Sequence, residues 1–234
     1  MTEQIEPDLA ETLHGDLSVR ATANTNSMEW SPSPSGSVWR KRVHRVGPAE
    51  SGQVTAVVRY QPDSKFPSHD HPDGEEILVL EGVFSDEHGD WPAGTYLLNP
   101  EGFKHQPFSR EGCVLFVKLR QYPGKSRRPL QMRTDQMEWQ ASDIAGLSVK
   151  QLYQQDGFSD RVRLERWSGG ALEQRQWPDG VEIFVLAGFM KDQDGRYEKG
   201  SWLRLPPGTI QEASTATGCE LYIKEGGFPY LAGQ

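Results

Sequence analysis

With 234 residues, the chain has room for one large domain or for two of about 100 residues each. A net charge of -8 and a pI near 5.3 exclude the basic face that a nucleic-acid binder needs, and no apolar run approaches the roughly 20 residues that cross a bilayer. Charged residues make up 25% and the mean hydropathy is -0.66, yet 7 Trp, 9 Phe and 7 Tyr supply the aromatic bulk of packed cores, which excludes global disorder.

The N-terminus, Met1-Thr2-Glu3-Gln4, is acidic and has no apolar stretch, so it does not read as a signal peptide, and a cytoplasmic location is expected. Residues 1–27 form an N-terminal arm. Its alternating stretch Leu17-Ser18-Val19-Arg20-Ala21-Thr22 suits an edge strand, paired within the chain or across a homodimer.

Beyond the arm the chain repeats itself. A shift of 106 positions aligns 74–118 with 180–224 without a gap. Shared residues include Glu76/Glu182, Gly82/Gly188, Asp86/Asp192, Gly94/Gly200, Pro100/Pro206, Gly102/Gly208, Cys113/Cys219 and Lys118/Lys224. Upstream, Met28-Glu29-Trp30 matches Met137-Glu138-Trp139 at an offset of 109, because the second copy is three residues shorter around 47–52. The reading is therefore a unit at 28–122, a linker at 123–136 and a second unit at 137–234. The one dense basic run, from Lys125 to Arg128, falls in that linker.

Within a unit the pattern is one of short strands between turn signals. In the first copy 76–80 is a β-rich run, 82–84 leads into the turn Asp86-Glu87-His88-Gly89, 95–98 follows Gly94, Pro100-Glu101-Gly102 turns again, and 113–119 is a final apolar strand. No segment holds a 3.6-residue period over helical length, so an all-β sandwich or barrel is expected. Cys113 and Cys219 hold equivalent places, so each belongs to its own unit as a small buried apolar residue rather than to a disulfide.

Chemistry concentrates at one point of the first unit. His69 and His71 are two apart, so on a strand both imidazoles face the same side. Glu75 shares their parity, an argument weakened by the turn-like Pro72-Asp73-Gly74, and His105 follows thirty residues later. Three nitrogens and a carboxylate suit one divalent transition ion: Fe, Mn, Ni, Cu or Zn. The second copy has Arg175, Trp177, Val181 and Gln211 at these four positions while the surrounding turn residues are shared. Ligands lost as a set amid a kept scaffold mark His69, His71, Glu75 and His105 as the site. Glu76, which recurs as Glu182, is read as structural. His14, His44 and His88 are read as solvated or hydrogen-bonded, and Phe66, Trp91, Tyr96, Phe103 and Phe108 as mostly barrel packing.

These motifs carry a resemblance. His69-x-His71-x3-Glu75-x6-Gly82 looks like the first cupin motif and Gly94-x5-Pro100-x-Gly102-x2-His105 like the second, with departures at the non-ligand positions Asp63 and Ser109. The stretch from Gly74-Glu75-Glu76-Ile77 to Asp86 resembles the ChrR-like branch, which includes the cupin of a zinc-binding anti-sigma factor and is similar to cupins that cleave ketones and diketones with iron and dioxygen. The resemblance implies two tandem double-stranded β-helix (jelly-roll) domains with the metal inside the first. It implies either a metal-dependent enzyme, oxygenase-like, acting on a small oxygenated organic molecule, or a non-catalytic sensor; the enzyme is placed first. A sigma-factor partner is not expected, because the 27 residues before the first unit carry one His and no Cys.

Overall fold

The computed structural model of the chain describes residues 12–34, 36–48 and 50–231; residues 1–11 of the expected arm lie outside them. The two copies fold as two tandem antiparallel jelly rolls, each a double-stranded β-helix. In the first, the main sheet runs Leu130–Arg133, Thr95–Asn99, Glu75–Asp86, Cys113–Leu119, Gln53–Tyr60, Val38–Val46, Ser31–Pro32. The second has the matching order: Ala21–Asn24, Ser201–Leu205, Val181–Lys191, Cys219–Glu225, Arg161–Trp167, Leu147–Tyr153, Gln140–Ala141.

The outermost strand of each order is exchanged. Ala21–Asn24, upstream of the first barrel, pairs with Ser201–Leu205 of the second, Ala21 opposite Arg204. Leu130–Arg133, upstream of the second barrel, pairs with Thr95–Asn99 of the first, Leu130 opposite Leu98. The arm's strand thus pairs within the chain and starts at Ala21, and the expected linker contains a strand of the first barrel's sheet. The basic run in that linker is structural as well. Arg127 is buried, its guanidinium donating to Asp160 at 2.9 Å and to the Tyr153 hydroxyl at 2.7 Å.

Strand parity sorts the core into three parts. Along Glu75–Asp86 and Cys113–Leu119, Ile77, Val79, Leu115 and Val117 point into the first barrel. Leu78 and Phe116 point the other way, into a core shared between the barrels with Phe184, Trp202 and Tyr222. There Phe116 stacks on Phe184 with ring centroids 4.4 Å apart. Ile183, Val185, Leu221 and Ile223 fill the second barrel. Because these sheets are covered on both faces, their strands read as unbroken apolar runs rather than alternating ones. Cys113 and Cys219 are free and buried, one in each barrel core, as expected.

The runs 76–80 and 82–84 belong to one strand, Glu75–Asp86. Gly82 bends it without ending it. Its φ is +70, and a Cβ there would stand 2.2 Å from the Gly112 carbonyl oxygen, so only glycine fits. Gly188 repeats the same geometry against Gly218.

Candidate metal centre

His69 and His105 face each other across a two-residue ribbon, His69–Asp70 against Lys104–His105. The strand stops there. His71 lies beyond it, held by its backbone N–H donating to the Phe103 carbonyl at 3.0 Å. The chain then turns through Asp73 (φ +56) and Gly74 (φ +71), so strand parity does not carry Glu75 to the site. The turn does, by starting the long Glu75–Asp86 strand beside the ribbon.

The three imidazoles come together, with ligand atoms within 4.8 Å of one another and ring centroids 4.7 to 5.4 Å apart. A Glu75 carboxylate oxygen lies 3.5 Å from His71 Nε2 and 3.6 Å from His105 Nε2, and it accepts a hydrogen bond from the Asn99 amide at 3.0 Å. His71, Glu75 and His105 are buried, whereas His69 is half-buried at the open side.

Acceptors behind the rings set two tautomers. His105 Nδ1 is 3.0 Å from Asp86 Oδ2. Burial works to raise the Asp86 pKa, but hydrogen bonds from His105, the His88 backbone and Trp91 outweigh it and hold Asp86 below its usual range, so it is an ionised acceptor. His69 Nδ1 is 2.9 Å from the Pro67 carbonyl, which can only accept. Both Nδ1 atoms therefore carry hydrogens, and both Nε2 lone pairs are left for the centre, the arrangement that orients metal-ligating histidines. His71 Nε2 stands 2.9 Å from His105 Nε2, a separation at which two lone pairs require a proton or a cation between them.

Electrostatics differ along the set. Burial lowers the pKa of His71 and outweighs the charge of Glu75, which keeps the ring neutral and ready to donate a lone pair. Burial also works against protonation of His105, but the bond to Asp86 and the charges of Glu75 and Asp86 prevail and raise it. Three nitrogen donors and one carboxylate gathered in this way fit one divalent transition metal ion.

The group opens on a cavity of about 370 Å3 whose walls include Val58, Tyr60, Phe66, Ile77, Phe84 and Leu115. A larger groove of about 500 Å3 runs between the barrels, but none of the three histidines lines it. Of the aromatics flagged from sequence, Phe66 lines the cavity and meets His69 edge-on at 6.2 Å, and Phe103 packs against His105 at 5.6 Å. Tyr96 lies in the core between the barrels. His44 is fully buried rather than solvated; its Nδ1 is 2.9 Å from the Arg204 guanidinium and 3.1 Å from the His14 carbonyl, and burial pulls its pKa down to about 4. His14 Nδ1 donates to the Val43 carbonyl at 2.7 Å.

Sequence reasoning missed Asp86 and Asn99. Asp86 left a signal, its recurrence as Asp192, but that signal points to scaffold. In the second barrel Asp192 accepts from Gln211 at 2.9 Å, and Gln211 accepts from Trp177 Nε1 at 3.1 Å. The aspartate thus serves whatever residue fills the position of His105.

A family model described as the ChrR Cupin-like domain matches the chain twice, over residues 18–123 and 127–229. Solved structures of similar fold include a candidate dioxygenase from Nostoc punctiforme, at 16% identity and a TM-score of 0.70 over 88% of this chain and 82% of that one. The Escherichia coli pirin YhhW in complex with nickel(II) superposes at 15% identity and a TM-score of 0.64, over 88% and 98% of the two chains. A salicylate 1,2-dioxygenase mutant from Pseudoaminobacter salicylatoxidans does so at 14% identity and a TM-score of 0.58, over 74% and 71%. No curated protein matches the chain.

Proposed function

Because the chain belongs to the ChrR Cupin-like family, we propose that it is a metal-dependent, oxygenase-type enzyme acting on a small oxygenated organic molecule in the first barrel. His69, His71, Glu75 and His105 hold one divalent transition ion, and the second barrel holds none. The observation that carries this reading is the tautomer-locked histidine cluster opening on a cavity of ligand size. Two of the similar folds being described as dioxygenases supports it.

A bound ion would supply Lewis acidity and, if it is iron, redox access to dioxygen. The residues of the chain do the rest. Glu75 offsets part of the ion's charge and Asn99 orients that carboxylate. Asp86 keeps the His105 lone pair turned inward. Phe66, Phe84, Ile77 and Leu115 exclude water around the substrate. Tyr60 also lines the cavity; burial first, then the negative charge of Glu75, push its pKa well above the usual value, so it remains an O–H donor toward a substrate oxygen. The partner in this reading is a small molecule held in the cavity of the first barrel.

The test is metal analysis of protein purified without oxygen, followed by dioxygen uptake on a panel of diketones and hydroxyketones. One metal per chain with substrate-dependent uptake is expected. Two metals per chain, or none after reconstitution with Fe, Mn, Ni, Cu and Zn, overturns the site. A full site without uptake on any substrate moves the protein to the sensor class.

A further inference from the structure

The residue after the Cys113–Leu119 strand differs in kind between the barrels. Arg120 has φ +59, a left-handed backbone that costs a residue with a Cβ and that glycine adopts freely. Its counterpart is Gly226, with φ +66. The match is fixed by the backbone: Arg120 N–H donates to Gly74 at 2.9 Å and Gly226 N–H donates to Gly180 at 3.4 Å, and Gly74 and Gly180 are repeat mates. In the second barrel a side chain is excluded, since a Cβ on Gly226 would sit 2.3 Å from the Ser159 carbonyl oxygen. In the first barrel Gly52 takes the place of Ser159, after a loop two residues longer.

Folding alone is served better by glycine at 120, so the arginine has another use. It is half-buried and lines the cavity that holds the histidines. Its neighbour in the lining, Arg40, is already taken: Glu50 accepts from it at 2.7 and 2.8 Å and from Arg42 at 3.2 Å. Among the described residues Arg120 makes no ion pair and no side-chain hydrogen bond. The acids of the same lining do not cancel it. Glu50 serves two arginines, Glu75 faces the histidines, and Asp70 is exposed at the rim.

We infer that Arg120 forms an anion subsite at the rim of this cavity and takes the carboxylate of a small organic molecule whose other end reaches the histidines. The second half of this statement rests on the proposed metal site; the first does not. A guanidinium offers two parallel N–H donors to a carboxylate, and the apolar walls at Val58, Ile77 and Leu115 suit an organic body. Asp70, exposed at the rim, repels a phosphate dianion more strongly than a carboxylate.

The experiment is calorimetric titration of the full chain, metal-loaded and chelator-stripped, with benzoate, benzamide and phenyl phosphate. Wild type is expected to bind benzoate about 10-fold or more tightly than benzamide. R120G and R120Q are expected to lose that preference with unchanged metal content, and R120G to melt no lower than wild type, because glycine fits the left-handed turn. Preference kept in R120G, no preference in wild type, or tighter binding of phenyl phosphate overturns the inference. An Arg120-dependent preference in a chain that takes up no metal upholds the anion subsite and sinks the metal reading. A metal-loaded chain with no preference does the reverse.

Discussion

The two barrels share their strand order, their turn glycines and their inner apolar rows, yet one encloses a cavity and the other fills the same space. In the first, Val58, Tyr60, His69 and His71 line the cavity. Strand register places Glu165 at the position of Val58 and Trp167 at that of Tyr60, since Leu115 pairs with Val58 and Leu221 with Glu165. Glu165 is fully buried and held by Arg163 and Arg175, each at 2.7 Å, and by Trp167 Nε1 at 2.9 Å. Arg175 lies over the rings of Trp167 and Trp177. A closed ion cluster and two indoles thus occupy the second barrel where the first keeps histidines and open volume. Such a cluster costs desolvation energy that its mutual pairing offsets, and removing one partner is more damaging than never having had the pair. The lesson concerns what makes a site. Ligands alone are not enough; the residues opposite them must also stay small and apolar, as Val58 does.

The sharpest way to break this comparison is to make the one acidic residue of the proposed ligand set neutral. Glu75→Gln removes the only carboxylate among the proposed ligands while keeping its shape. Metal affinity is expected to fall by about 100-fold or more, since even partners behind the ligands are worth 10- to 100-fold. The barrel should still fold, because Val181 is tolerated at the matching position. Competition titration with a metal-sensitive dye measures the loss, and undiminished affinity removes Glu75 from the ligand set.

Asp86 and Asp192 provide the next test, because the same aspartate has different consequences in the two barrels. Asp86→Asn lets the amide donate toward His105 Nδ1, which disturbs the inward lone pair; metal affinity should drop by roughly 10- to 100-fold. Asp192→Asn should leave metal content unchanged. It weakens the 2.6 Å contact with Arg20 and the bond from Gln211, so stability should fall by about 1–3 kcal/mol. Equal effects of the two substitutions on metal content would erase the distinction between the barrels.

Much of this was legible in the chain because the repeat acts as its own control. The Cys113–Leu119 strand and the all-β class follow from the spacing of apolar runs and turns, and comparing one copy with the other singles out four residues that the structure brings together, three histidines with Glu75 beside them. Three things did not follow. Asp86 does not stand out in the sequence because the second copy keeps it, and a shared residue can serve a site in one barrel and its replacement in the other. The runs 76–80 and 82–84 read as separate pieces because a glycine in the sequence does not say whether the chain turns or only bends, and only the neighbouring Gly112 carbonyl shows the bend within one strand. The exchange of Ala21–Asn24 and Leu130–Arg133 left no local trace, since a pairing between residue 21 and residue 204 has no spacing to read.

The face between the barrels breaks the symmetry in a second way. Lys118 of the first barrel pairs with Glu182 of the second, which is held down to about 2: burial works to raise it, but the charge and hydrogen bond of Lys118 prevail. Its repeat mate Lys224 has no such partner. It sits 3.5 Å over the Tyr122 ring and 3.9 Å from Asp160, and its Nζ lacks a hydrogen bond among the described residues. Burial pulls Lys224 down to about 8 despite Asp160 and Glu76. Between about 8 and its unfolded value near 10.5 the unfolded chain binds the extra proton, so this lysine makes stability rise with pH there, by roughly 3 kcal/mol at most. Lys224→Met should flatten that rise and leave stability at pH 7 equal or higher by about 1 kcal/mol. Urea unfolding of both proteins from pH 7 to 10 measures it, and parallel slopes refute it.

The smallest expected effect is at Glu76, next to Glu75 in the chain and on the opposite face of the strand. Its carboxylate is buried between the barrels and accepts from the Tyr222 hydroxyl at 2.7 Å. Burial, only partly offset by Lys224, Lys118 and the tyrosine hydroxyls, raises its pKa above the ordinary 4.5. A raised carboxyl pKa contributes stability that is fully present below the unfolded value and is lost as pH climbs through the folded one. Glu76→Gln keeps an oxygen for Tyr222 and mimics the protonated form. Metal content should therefore be unchanged and stability should change by about 1 kcal/mol. Any deficit against wild type should be largest at acid pH and should shrink as pH rises, because only wild type then carries a buried charge. Metal occupancy and melting temperature of the Gln variants at 75 and 76, taken side by side from pH 5 to 8, decide the matter. If the variant at 76 empties the site while the variant at 75 leaves it full, the strand presents the opposite face to the histidines and the assignment of Glu75 falls.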